Sequence, residues 1–145
     1  MYFVDREKIE RTLVYLEENI ELFQTHEKYE TNLEKKALER IAISIIEGLL
    51  DVGNAMIDGF IMRDPGSYED IIDILLDEKV VNKEQEEKLK QLIRLRKVLV
   101  QDYLEIEHTG LEATVRENID VVMTFCESVR SYLTNELGPV TAFKN

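Results

Sequence analysis

The sequence predicts an all-α bundle, and three observations carry that prediction. Apolar residues recur at alternating spacings of three and four, no stretch alternates apolar and polar residues as a half-buried strand would, and only 6 Gly and 2 Pro punctuate 145 residues. From Asp5 onward, Ile9, Leu13, Leu16, Ile20 and Phe23 share one stripe of a first helix. A polar interval from Thr25 to Asn32 interrupts the pattern, and a second helix is expected from about Leu33 to Arg63. It carries two apolar stripes, one through Leu38, Ile41, Ile45, Leu49, Val52 and Met56, the other through Ile43, Ile46, Leu50 and Ile57. A helix apolar on two sides is central or shared with a partner. Asp64-Pro65-Gly66-Ser67 reads as a turn, and Ser67 with Asp70 resembles a capping box ahead of a short third helix through Ile71, Ile72, Ile74 and Leu75. Asn82 with Gln85 opens a fourth helix, expected to reach about Ile106. Thr109 with Glu112 is expected to cap a fifth, whose stripe runs Leu111, Val115, Ile119, Val122, Cys126, Val129 and Leu133 until Gly138-Pro139 stops it. The prediction is one domain over 1–145, with four long helices and one short helix over 1–137 and a tail over 138–145.

Composition narrows the function classes. With 30 acidic against 18 basic residues the formal charge is −12, so only a local basic patch could grip nucleic acid. The single Cys126 excludes an internal disulfide and a cysteine-rich zinc site. No apolar run reaches about 18 residues, and Met1–Arg6 has no signal-peptide core, so a cytoplasmic protein without a membrane span is expected.

Most candidate chemistry is weak. Glu105 and His108 form one Glu-x-x-His pair, but the helical di-iron sites that use this unit need it twice, so no metal or other cofactor is expected. His108 reads as a solvent-side residue near a helix end, Cys126 as a small core hydrophobe, and Gly48 and Gly53 as points of close helix packing.

Helix four is more informative. Its stripe reads Leu89, Leu92, Arg96, Leu99, Tyr103, placing a guanidinium where the period calls for Leu. An unpaired buried charge is costly, so Arg96 is expected to face a carboxylate or line a wet cleft. Helix two offers the partner, because Arg40, Ser44, Glu47, Asp51, Asn54 and Asp58 make a narrow polar stripe, and Glu47 or Asp51 is expected near Arg96. The plainer alternative is that this stripe faces solvent and Arg96 snorkels to the rim. Around Arg96, Lys88, Lys90, Arg94 and Lys97 complete a basic island with no acid between positions 88 and 97. It could attract a phosphate backbone or an acidic partner, or simply pair with Glu84, Glu86 and Glu87.

These residues resemble the HepT-like branch of the HEPN proteins, small all-α ribonuclease toxins. Glu39-Arg40 and Ile46-Glu47 with Asp51 are similar to that family's second helix, and Arg96 to Tyr103 falls on its signature: Arg, four residues, His, one residue, Tyr. The run Phe60 to Tyr68 is closest to the YutE-like subgroup. Arg96 and Tyr103 match the signature, whereas Gln101 stands at the histidine position and Lys97 at a usually polar one. The resemblance implies a two-fold homodimer in which both signature segments line one RNA cleft, and metal-independent cutting by attack of the ribose 2′-hydroxyl. On a continuous helix Tyr103 would lie within about 20° of the Arg96 face, and Gln101 about 140° around and about 7.5 Å along, two walls that suit a site completed by a symmetry mate.

In that mechanism the arginine steadies charge on the phosphorane while the histidine moves a proton. Gln101 has no titratable proton, so a degenerate member with weak or no RNase activity is the leading expectation, and a non-enzymatic RNA-, nucleotide- or protein-binding dimer is the alternative. His108 would lie about 18 Å from Arg96 on an unbroken helix and could substitute only if the chain broke sharply after Tyr103. Family toxins are neutralised by a nucleotidyltransferase antitoxin that adds AMP to the signature tyrosine, here Tyr103. For Tyr103, core or interface packing ranks ahead of modification.

Overall fold

The structure, a computed structural model, describes residues 3–138, and every element in them is helical: α1 (Arg6–Thr25), α2 (Asn32–Gly59), α3 (Tyr68–Asp77), α4 (Lys83–Val100), α5 (His108–Asn118) and α6 (Asp120–Leu137), with a short 3-10 turn at Tyr103–Glu105. The expected tail lies outside the described residues from position 139 on. α2 is the central rod, packed against α1, α3, α4 and α5, while α6 closes the bundle against α1 and α4. Both of its apolar stripes are used: Leu38, Ile45, Leu49, Val52 and Met56 are buried on one, Ile46, Leu50 and Ile57 on the other. A Cβ at Gly48 would lie 2.6 Å from Leu16 Cδ2, and one at Gly53 would collide with Ile71 Cγ2, so the two glycines let α1 and α3 approach α2 closely. Cys126 is fully buried as a small hydrophobe, and burial pushes its thiol up to about 12.

The ends of the elements differ from the periodic reading, each for a local reason. α2 stops at Gly59, not Arg63: Met62 N–H returns to the Ile57 carbonyl and Ile61 N–H to that of Asp58, a Schellman closure that leaves Ile61 at φ 55°. A β-branched residue in the left-handed region is strained, and the Ile61 side chain is exposed. Ile61→Gly is therefore expected to raise stability by about 1 kcal/mol, read as a higher urea midpoint at unchanged m-value. α4 ends at Val100, six residues before the expected end. There the Lys97 carbonyl accepts from both Gln101 and Asp102, and Lys97 Nζ pairs with Asp102 at 2.8 Å.

The predicted fifth helix is two helices. Its start is capped by Glu107, whose carboxylate accepts from Thr109 and Gly110 N–H, not by Thr109 with Glu112. The helix is interrupted at Ile119, next to buried Asn118, whose amide donates to the Thr114 carbonyl at 2.8 Å and to Gln91 Oε1 at 3.0 Å. An amide side chain that occupies the carbonyl one turn back competes with the helical bond there. Ser67 Oγ does cap Asp70 N–H, but the Asp70 carboxylate turns away to Arg63 and Gly66, so only half of a capping box forms.

Candidate functional site

Buried Leu89 and Leu92 hold α4 against the bundle, and the next step of their stripe delivers Arg96 to the α2 surface. Its Nε donates to Glu47 Oε1 at 2.7 Å, its side chain is 22% exposed, and its guanidinium carbon sits 4.5 Å from the centroid of the Tyr68 ring. The Glu47 carboxylate raises the Arg96 pKa further, so the cation is permanent. Glu47 bonds Nε alone and leaves the terminal amino groups to other acceptors. Of the two predicted partners, Glu47 is the one used. Asp51, one turn further along α2, is exposed and lines a separate groove between α1 and α2 with Glu47, Arg40, Ser44 and Tyr15. In that groove the Tyr15 and Ser44 hydroxyls are hydrogen-bonded at 3.1 Å, and the Ser44 hydroxyl, which can donate to the phenolate, lowers the phenol pKa.

Arg96 borders a cleft of about 670 Å³ whose lining includes Tyr68, Lys90, Arg94, Lys97 and Gln101. Gln101 is the exposed C-cap of α4, and the arginine and the neutral amide line one cleft of the single chain. The basic island is not a bare cationic surface. Lys88 pairs with Asp120, Lys90 with Asp73 and Glu86, Arg94 with Glu69 and Glu87, and Lys97 with Asp102. Glu86 and Glu87 are among the expected helical partners, but α3 and the segments beyond α4 supply the rest. The two carboxylates on Lys90 lift its pKa to about 12.

Two expectations are corrected. Of the core and interface roles expected for Tyr103, the core one does not hold: the early end of α4 removes it from the Arg96 stripe, and on the 3-10 turn it is 62% exposed. His108 is not a solvent-side residue either. The break that would free it does occur, at Gln101, before Tyr103, but the chain carries the imidazole to α2, where Nε2 meets Glu39 Oε2 at 2.6 Å and the ring is half-buried. Glu39 lies two turns, about 12 Å, from Glu47 along the same helix, and His108 does not line the Arg96 cleft.

Tyr68 was not singled out by the sequence. It shares the spacing of Ile71, Ile72 and Leu75 and so reads as one more core position, yet it is half exposed. Its placement depends on a rigid turn: Arg63 grips Asp70 through Nη1 at 2.8 Å and Nη2 at 3.0 Å, and Gly66 N–H adds a third bond at 2.8 Å. The guanidinium is the main reason the Asp70 carboxyl is held at about 2. Because the folded value is depressed, the turn's contribution is complete above the ordinary aspartate range and is lost as pH falls toward about 2. Carboxyl-carbon NMR of Asp70 is expected to show a midpoint near 2, moving up in Arg63→Gln.

Among the described residues no group of three or more His, Cys, Asp or Glu side chains is placed to hold a metal ion, and no helix is long and apolar enough to cross a membrane. Residues 7–129 match the family described as "Ribonuclease HepT-like". The chain is 50% identical over 144 residues to the protein named "Putative RNase YutE" of Bacillus subtilis (strain 168), a match spanning 99% of this chain and 100% of that one. The solved structure of YutE, described as a cytosolic protein of unknown function, superposes with a TM-score of 0.94 over 99% of this chain and 100% of its own. A toxin–antitoxin crystal structure with AMP-PNP contains a chain with the same fold, at a TM-score of 0.74 and 15% identity over 83% of this chain and 96% of that chain. On the match over most of its length and the identity to YutE, the chain belongs to the HepT-like family of HEPN ribonucleases.

Proposed function

We propose that this protein is a cytoplasmic HepT-like dimer that binds RNA in the Arg96 cleft and has weak or no ribonuclease activity. The observation that carries the reading is the pairing of a seated cation, Arg96 on Glu47, with Gln101 in a cleft that no histidine lines. A guanidinium can stabilise the added negative charge of a phosphorane, but a carboxamide cannot take or return the proton of a 2′-hydroxyl near neutral pH. Exposed Val100, Tyr103 and Leu104 at the end of α4 and just after it support a two-fold partner at this end, since Leu104 is 88% exposed and follows the cleft-lining Gln101 by three residues.

Incubation of the purified protein with RNA tests the reading. Slow cleavage that disappears in Arg96→Ala assigns residual catalysis to this cleft, and binding without turnover, weakening steeply with salt, assigns the non-enzymatic alternative. A monomer in solution, or cleavage indifferent to Arg96→Ala, overturns it. Exposure of Tyr103 in the single chain leaves its hydroxyl accessible to a nucleotidyltransferase antitoxin of the kind the family uses, and an added AMP mass on Tyr103 after incubation with one identifies that partner.

A further inference from the structure

We infer that Tyr68 is a stacking platform for a nucleobase of single-stranded RNA, seated beside the phosphate-facing Arg96; this inference rests on the RNA reading above. Three independent features converge on it. Tyr68 is 49% exposed in a cleft whose other lining residues, apart from Ile93, are polar or charged, so half of a large aromatic side chain stays in water there. Its ring already carries the Arg96 guanidinium at 4.5 Å, so an aromatic face and a permanent cation lie within one nucleotide of each other. The turn that presents the ring is also tied down in advance. Asp70, two residues on, takes both terminal nitrogens of Arg63 and the Gly66 N–H, while Ser67 Oγ caps the helix that begins at Tyr68.

That clamp is exposed, and exposed ion pairs add little to stability. Its consequence is geometric: it holds the turn that presents Tyr68, and a platform ordered before binding costs less entropy when the ligand arrives. The charges around the ring suggest the polarity of the subsite. Glu69 and Asp73 line the same cleft and would repel a phosphate, but they are tied to Arg94 and Lys90 respectively. Lys97 is tied to Asp102 in turn, so the phosphate side is the end at Arg96 and Gln101, and the base side is Tyr68. Stacking on a tyrosine tolerates any base, so the ligand class is single-stranded RNA read without strong sequence preference.

Fluorescence anisotropy with a short 5′-labelled single-stranded oligoribonucleotide, and with an abasic oligomer of the same length, separates base contact from phosphate contact. Tyr68→Leu is expected to weaken binding of the base-bearing probe by about 5- to 150-fold, with Tyr68→Phe binding as the wild type does and the abasic probe bound equally by all three. A 2-aminopurine base in the wild-type complex is expected to be quenched, a reading that needs no variant. If Tyr68→Leu binds the base-bearing probe as tightly as the wild type, or loses both probes equally because it only holds Arg96, the platform is overturned while the RNA cleft stands. If the wild type binds neither probe, the RNA reading falls and takes the platform with it.

Discussion

Gln101→His is expected to raise RNA cleavage by about 10²- to 10⁴-fold over the wild type, the usual contribution of a positioned general acid or base. Gln101 is exposed at the end of α4, so an imidazole can be accepted there without disturbing the core. The new side chain would stand in the cleft that Arg96 borders, supplying the one function the carboxamide lacks: a proton that moves near neutral pH. The carbonyl end of α4 favours the protonated ring, with Lys97 nearby opposing it. The gain should therefore depend on pH near the ordinary histidine range and should vanish when Arg96→Ala is added. Gel assays of RNA cleavage across pH 5 to 8 measure it. A variant that binds RNA as the wild type does yet gains no cleavage would count against a catalytic ancestry for this cleft. His108→Ala, by contrast, should leave cleavage unchanged, because that ring is engaged by Glu39 outside the cleft.

Phe23→Ala is expected to cost about 3–5 kcal/mol of stability, seen as a fall in the urea midpoint with little change in slope. Phe23 is fully buried near the end of α1, and its ring stacks on Tyr29 with centroids 5.4 Å apart. The Tyr29 hydroxyl donates to the Phe23 carbonyl at 3.0 Å, and the Arg116 guanidinium lies 4.8 Å from the Phe23 ring. Truncation thus opens a cavity where α1, the connection to α2 and α5 meet, and the stacked partner loses its face as well. A cost below about 1 kcal/mol would show that the connection is not packed as described. Tyr29 also marks a limit of the periodic reading, since it is a buried core residue inside a stretch that composition alone makes polar.

The helical spacing in this sequence was sufficient for the all-α class, for α2 as the central element and for the close-packing glycines, because each depends on which residues recur on one face. It was also sufficient to mark Arg96 as anomalous and to name Glu47 as one of two partners, since a charge on an apolar stripe must be compensated wherever the stripe is buried. The departures lie where apolar spacing continues while backbone bonding does not. Tyr103 keeps the phase of the α4 stripe, but the Lys97 carbonyl takes two N–H groups and ends the helix first. Val115, Ile119 and Val122 run on in step across the interruption at Ile119, beside Asn118.

What the sequence by itself determined is the all-α class, the apolar faces of its helices and the presence of Gln101 in place of a titratable side chain at the signature position, because these are properties of residue type and spacing along one chain. Only the tertiary structure decided that the basic island is neutralised by carboxylates, that His108 turns to Glu39, and that Tyr68 stands open beneath Arg96. Those outcomes depend on which element lies across from which. Ion pairs and ring contacts act over a few ångströms in space, and distance along the chain, 25 residues between Glu69 and Arg94 and 69 between Glu39 and His108, carries no trace of them.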